Sequence, residues 1–110
     1  MESSQTDLGT FKPEFTIDSI DADHRITDPS EIEFLGNNVM GWKLSTDSIA
    51  NRIEKGYAKF VVFDKMQRKM LDVTVLTSKE GKRILRAISG NRTFDTLLGL
   101  PRCSHCRLID

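Results

Sequence analysis

The stretch STDSIANRIEKGYAKFVVFD, residues 45–64, decides how this chain folds. Ser45 is a good N-cap, and Asp47 in the first turn favours the positive end of a helix dipole. Ile49 and Ile53 fall four apart with Ala50 beside them, which makes a narrow apolar stripe on one helical face. Lys55 suits the negative end, and Gly56 can take the left-handed conformation that closes a helix. The spacing predicts a helix from about Thr46 to Lys55. A helix this short does not persist alone in water, so it needs a sheet to lie on. The sheet begins at once, because Tyr57-Ala58-Lys59-Phe60-Val61-Val62-Phe63 is rich in aromatic and β-branched residues.

Downstream, Asp64 to Lys69 is a polar connection. Leu71, Val73 and Val75 then alternate with Asp72 and Thr74, the period of a strand with one buried face. Ser78-Lys79-Glu80-Gly81 is a turn, and Arg83 to Ile88 is a third strand. Three strands on short polar loops read as an antiparallel meander, with Ile49 and Ile53 covering its apolar face. Tyr57, Phe60 and Phe63 read as its core aromatics. Ser89-Gly90-Asn91-Arg92 breaks the chain, and Leu97, Leu98 and Leu100 form an apolar knot ending at Pro101.

Upstream, the run from Phe15 to Asp21 alternates roughly as a half-buried strand. Asp28-Pro29-Ser30 turns the chain, and Ile32, Phe34 and Leu35 make a second strand stopped at Gly36-Asn37-Asn38. The opening is thus expected to be a β-hairpin. Residues 1–14 are polar apart from Leu8 and Phe11, too little apolar surface to offset the entropy of ordering, and read as a flexible tail. The expected architecture is α+β: one short helix packed on a small antiparallel sheet, built from the opening hairpin and the three-stranded meander. Residues 15–103 form the single domain, and 104–110 a C-terminal tail.

At 110 residues the chain has the length of one domain, and its 38% hydrophobic content suffices for a modest core. Sixteen Lys and Arg against sixteen Asp and Glu leave no net charge, which excludes a globally basic nucleic-acid coat and an acidic mimic of nucleic acid. The balance conceals a division. Residues 1–38 hold nine acids and two bases, a net −7, whereas residues 39–110 hold fourteen bases and seven acids, a net +7. The plain explanation is an acidic leading segment packed on a basic body; the sharper one is a basic face turned to a phosphate-bearing or acidic partner. No apolar run reaches the ~18 residues of a membrane helix, and the first residues lack the basic start and apolar stretch of a secretory signal. The expectation is a cytoplasmic protein with reduced thiols and no membrane contact.

Cys103-Ser104-His105-Cys106 is the most conspicuous local feature. A C-x-x-C pair can bite one zinc ion, but a complete site needs four ligands, and only His24 and His105 could add to it. His105 lies between the cysteines, so a second pair from another copy would have to complete the tetrahedron. A redox pair normally opens a helix after a strand, and no helical pattern follows Cys106. The plainest reading is two thiols in a frayed tail, or Cys103 packed beside Leu100. Cys103 and Cys106 are therefore the only metal candidates, and no cofactor is expected. His24 stands among Asp21, Asp23 and Arg25, where a surface histidine in an acidic turn is the simplest reading. Asp18, Asp21 and Asp23 lack the glycine and closing Glu of a calcium loop. Nucleophile-elbow, zinc-protease, phosphate-loop and dinucleotide motifs are all missing, so an enzyme is not expected.

Taken in order, several residues carry a resemblance: Trp42, Ile49, Ile53 and Gly56; Ile84-Leu85-Arg86-Ala87; and Asp95-Thr96-Leu97-Leu98-Gly99-Leu100-Pro101. They resemble the small uncharacterised bacterial proteins of a domain-of-unknown-function family, whose pattern runs W…I-x-x-I-x-x-G, Y-L-R-T and D-N-L-L-x-L-P. The resemblance covers roughly residues 40–103. Here Ile84, Ala87 and Thr96 occupy the Tyr, Thr and Asn positions. The resemblance implies a small cytoplasmic α+β domain and carries no activity with it.

Binding features remain. Trp42 is the only tryptophan; as a core residue it would cap the end of the sheet, and exposed it would anchor a partner or stack on a base. Arg83, Arg86, Arg92 and Arg102 supply the basic candidates, although Arg83 and Arg86 point to opposite faces of an ideal strand. The expected function is a small non-catalytic interaction module, binding a protein partner or itself through Trp42, Arg83, Arg86, Arg92 and Arg102. A nucleic-acid binder using the same basic residues and a zinc-linked assembly through the C-x-x-C pair are the alternatives.

Overall fold

Ile17 and Ile20 are both buried although they stand three apart, a spacing that would point them to opposite sides of one continuous strand. The chain resolves this by changing sheets at Asp18. In a computed structural model, which describes residues 12–110, β1 (Glu14–Ile17) pairs in parallel with β5 (Lys59–Asp64), while β2 (Ser19–Asp21) pairs antiparallel with β3 (Phe34–Asn37). The expected opening hairpin is therefore realised only in its second half. Phe15 lies directly beside Phe60, the rings stacked at 5.2 Å, and this contact recruits the first half to the other sheet. Of the expected leading tail, residues 1–11 lie outside the described residues, and Glu14 already belongs to β1.

The second strand of the expected hairpin ends at Asn37, inside the expected Gly36-Asn37-Asn38 stop, although Gly36 itself lies within the strand. β3 runs through Gly36 and Asn37 and turns at 38–41, where Gly41 has φ +79°, into β4 (Trp42–Ser45). Gly36 sits opposite Lys43 with no room for a side chain: a Cβ there would lie 2.8 Å from the Lys43 Cβ and closer still to the Trp42 carbonyl. The glycine marks a close approach of two strands rather than a break.

The helix α1 (Thr46–Glu54) follows β4 without a linker. The Ser45 hydroxyl accepts from the Ser48 N–H, and Gly56 at φ +74° closes the far end, as the sequence predicts. Ile49 and Ala50 are fully buried and Ile53 is half-buried. Their stripe lies on β5, β6 (Lys69–Thr77) and β7 (Arg83–Ser89), the three meander strands. The expected break at 89–92 is instead a tight hairpin around Gly90 that adds β8 (Arg92–Phe94). The larger sheet thus runs β1-β5-β6-β7-β8, with only the β1–β5 pair parallel. The leucine knot is a short 3-10 turn, Thr96–Gly99, that plugs Leu97 into the core.

The smaller sheet runs β2-β3-β4-β9, where β9 (Arg107–Leu108) pairs in parallel with β4. The expected C-terminal tail is therefore fastened. Arg107 and Ile109 donate their N–H groups to the Gly41 and Lys43 carbonyls at 2.9 and 3.0 Å. Just before it, Pro101 and Cys103 bond to the backbone of Ile20 on the opposite edge. One segment, 101–110, closes both edges of the sheet. The described residues thus form an α+β domain of two mixed sheets and one α-helix, with strands dominating.

Candidate interaction surface

The residues singled out from sequence do not come together. Trp42 is half-buried and meets Phe15 edge-on at 5.7 Å, so it joins the two sheets rather than offering an anchor. Arg83 faces the helix, with Glu54 at 2.9 Å and Asp47 at 3.3 Å. Arg86, three residues on, bonds to Asp95 at 2.8 Å. Arg102 bonds to Asp21 at 2.9 Å and to the Ala22 and His24 carbonyls. Arg92 alone is exposed without an acidic partner among the described residues, and lies 5.4 Å from the Phe94 ring. Three of the four arginines therefore spend their charge inside the fold.

Asp21 receives Lys43 at 3.1 Å besides Arg102, and the Ala22 N–H. Burial works to raise its pKa, but the bonds from Arg102, Lys43 and Ala22 outweigh it and hold the carboxyl below its ordinary 3.8. At the surface, His24 Nδ1 lies 2.8 Å from Asp23 and 3.9 Å from Glu33. The Asp23 bond chiefly lifts the imidazole above its ordinary 6.5. This is the only grouping of three metal-capable side chains among the described residues, all three exposed, and the ion pairs explain it without an ion.

The two thiols are free and half-buried. Cys103 lies 3.3 Å from the Ser19 hydroxyl and Cys106 3.1 Å from the Asn38 side-chain oxygen. Burial above all pushes the Cys103 thiol up to about 11, which keeps the free thiol protonated at neutral pH. No third ligand joins the pair among the described residues.

A surface that the sequence does not announce lies elsewhere. Pairing Val62 with Leu71 toward the core turns the next pair, Phe63 and Met70, outward and side by side. Of the three aromatics read as core, only Phe60 is buried; Phe63 is 49% and Tyr57 66% exposed. Met66, at the tip of the β5–β6 turn, is 89% exposed. Between this turn and the stretch from Phe94 to Leu100 opens a groove of about 390 Å³, walled by Phe63, Met66, Phe94 and Leu100. Its floor is held by Asp64, which is buried and accepts from the Thr96 hydroxyl and from the Gln67 N–H at 2.8 Å. The Thr96 bond first, then the Gln67 N–H, keep this carboxylate ionised below its usual range. Thus β5 is tied to the 96–99 turn, and the groove walls are braced.

A larger cavity of about 510 Å³ lies between residues 30–33, the start of α1 and Lys82–Arg83. Its charges already serve the fold: Arg83 pairs with Asp47, Lys82 bonds to the Ser30 carbonyl at 2.6 Å, and Glu31 caps the turn before it. The groove is the more apolar of the two and keeps its exposed side chains unspent, the combination that marks recognition sites. No family model, curated protein or solved structure matches this chain. No helix among the described residues is long and apolar enough to cross a membrane.

Proposed function

We propose that the chain is a small non-enzymatic interaction module of the bacterial cytoplasm that binds a protein partner through the groove of Phe63, Met66, Phe94 and Leu100. The observation that carries this is a braced apolar groove lined by exposed Phe63 and Met66, with exposed Met70 directly across the strand pair from Phe63. A monomeric domain has no stability reason to keep such side chains in water, and methionines suit surfaces that adapt to a partner. Three of the four arginines on which a nucleic-acid reading rests, Arg83, Arg86 and Arg102, are drawn into ion pairs with Asp47, Glu54, Asp95 and Asp21, which favours the protein-binding reading. Kinship with the W…I-x-x-I-x-x-G family belongs to the same proposal. It rests on the sequence pattern alone, carried by Trp42, Ile53, Gly56, Leu97, Leu98 and Pro101.

The test is capture from native lysate with wild-type protein and with Met66→Asp, which changes only an exposed tip, each with and without nuclease. The proposal expects a protein held by the wild type, lost with Met66→Asp and indifferent to nuclease. Loss of all bound material on nuclease treatment, or equal capture by both forms, would overturn it.

A further inference from the structure

Resting on that reading, we infer that the groove takes a partner segment with an apolar anchor side chain flanked by acidic residues. The walls supply the first half of the specification. A volume of about 390 Å³ lies at the low end of the ~300–1,000 Å³ range of ligand pockets, a size for side chains rather than for a broad protein face. The charges around the mouth supply the second half. Lys65 lines the groove itself, and Arg68 and Lys69 follow Met66 at the end of the turn and the start of β6, all three exposed and none paired with an acid among the described residues. Arg92 stands over Phe94 on the opposite wall. The two acids that line the groove are already engaged: Asp64 lies buried on the Thr96 hydroxyl and the Gln67 N–H, and Asp95, though its side chain is 72% exposed, is held by Arg86 at 2.8 Å. What remains for a partner is an apolar slot in a cationic rim. A basic segment would meet like charge there, and an acidic one is steered in and oriented. A nucleic acid would use the rim and leave the apolar walls wet, which is why a protein segment fits the groove better.

Phage-displayed random dodecamers selected on the wild type, with counter-selection on Met66→Asp, test this directly. Melting curves first check that Met66→Asp and a second variant, Phe63→Ala, are folded. Enriched peptides are expected to share a Phe, Leu, Met or Trp with Asp or Glu on its flanks. Reversing Lys65, Arg68 and Lys69 together to Glu should weaken a synthetic winner by about tenfold or more, and raising salt should weaken it further. Groove-dependent peptides without acidic flanks, or an affinity that charge reversal leaves unchanged, would overturn the inference while leaving the groove standing. Failure to enrich any peptide that distinguishes the wild type from both groove variants would sink the interaction reading itself. Tight binding of a labelled single-stranded oligonucleotide that displaces the peptides would overturn both.

Discussion

Gly36 illustrates how much a single residue decides here. It belongs to the Gly36-Asn37-Asn38 run that ends β3, yet it lies within the strand at a close approach to β4, with the Trp42 carbonyl and Lys43 occupying the space of its missing side chain. Gly36→Ala should lower the stability of the fold by roughly 1–3 kcal/mol, the range of overpacking, visible as an earlier urea midpoint; an unchanged midpoint would refute the close approach. Asp21 is the second such residue, because it ties the acidic opening to Lys43 and Arg102. Its carboxyl sits below its ordinary 3.8 in the folded state, so its contribution is full above about pH 4 and is lost as pH falls through the lower, folded value. The stability gap between wild type and Asp21→Asn should therefore be open at pH 7 and close as the solution is taken below pH 4. His24 runs the other way, since Asp23 raises it. An NMR titration should place its imidazole above 6.5, and Asp23→Asn should bring it back down.

Among the elements, α1 was the most legible because all of its signals are local: the Ser45 cap, the Ile49 and Ile53 stripe and Gly56 lie within one short run. Ser45→Ala should cost about 1 kcal/mol through the lost cap, and Ile49→Ala about 2–5 kcal/mol through the cavity it leaves, both read from chemical denaturation. The meander was legible for a similar reason, since period-2 alternation in β6 fixes which face is buried. The parallel pairings were not. β1 joins β5 across most of the first half of the chain, and β9 joins β4 from the far end, and no local pattern encodes a partner so distant. β9 has only two residues, Arg107 and Leu108, and both are exposed, so neither apolar period nor burial marks it. Hydrogen exchange provides the check: the Arg107 and Ile109 amides should be protected by their bonds to Gly41 and Lys43, and exchange at the rate of a free tail would contradict the pairing.

At the scale of the whole molecule, the charge division read from the sequence resolves partly into internal pairing, with Asp21 on Lys43 and Arg102 and Glu14 on Lys59 linking the acidic opening to the basic body. The candidate site was less legible than the fold. The sequence directs attention to Trp42 and the arginines, which are the usual currency of interfaces, but folding spends most of them on its own contacts. Phe63 reads as core until the register against Met70 is known, and Met66 carries no pattern at all in a polar turn. The groove is a product of assembly, made where the β5–β6 turn meets the segment after β8. Its occupancy in the cell is the most direct measurement. A photo-crosslinking apolar amino acid placed at position 66, with a control at exposed Lys79 on a different turn, should capture one protein partner from position 66 and nothing comparable from position 79. Absence of any adduct at 66, or the same adducts from both positions, would contradict the groove as the working surface of this molecule.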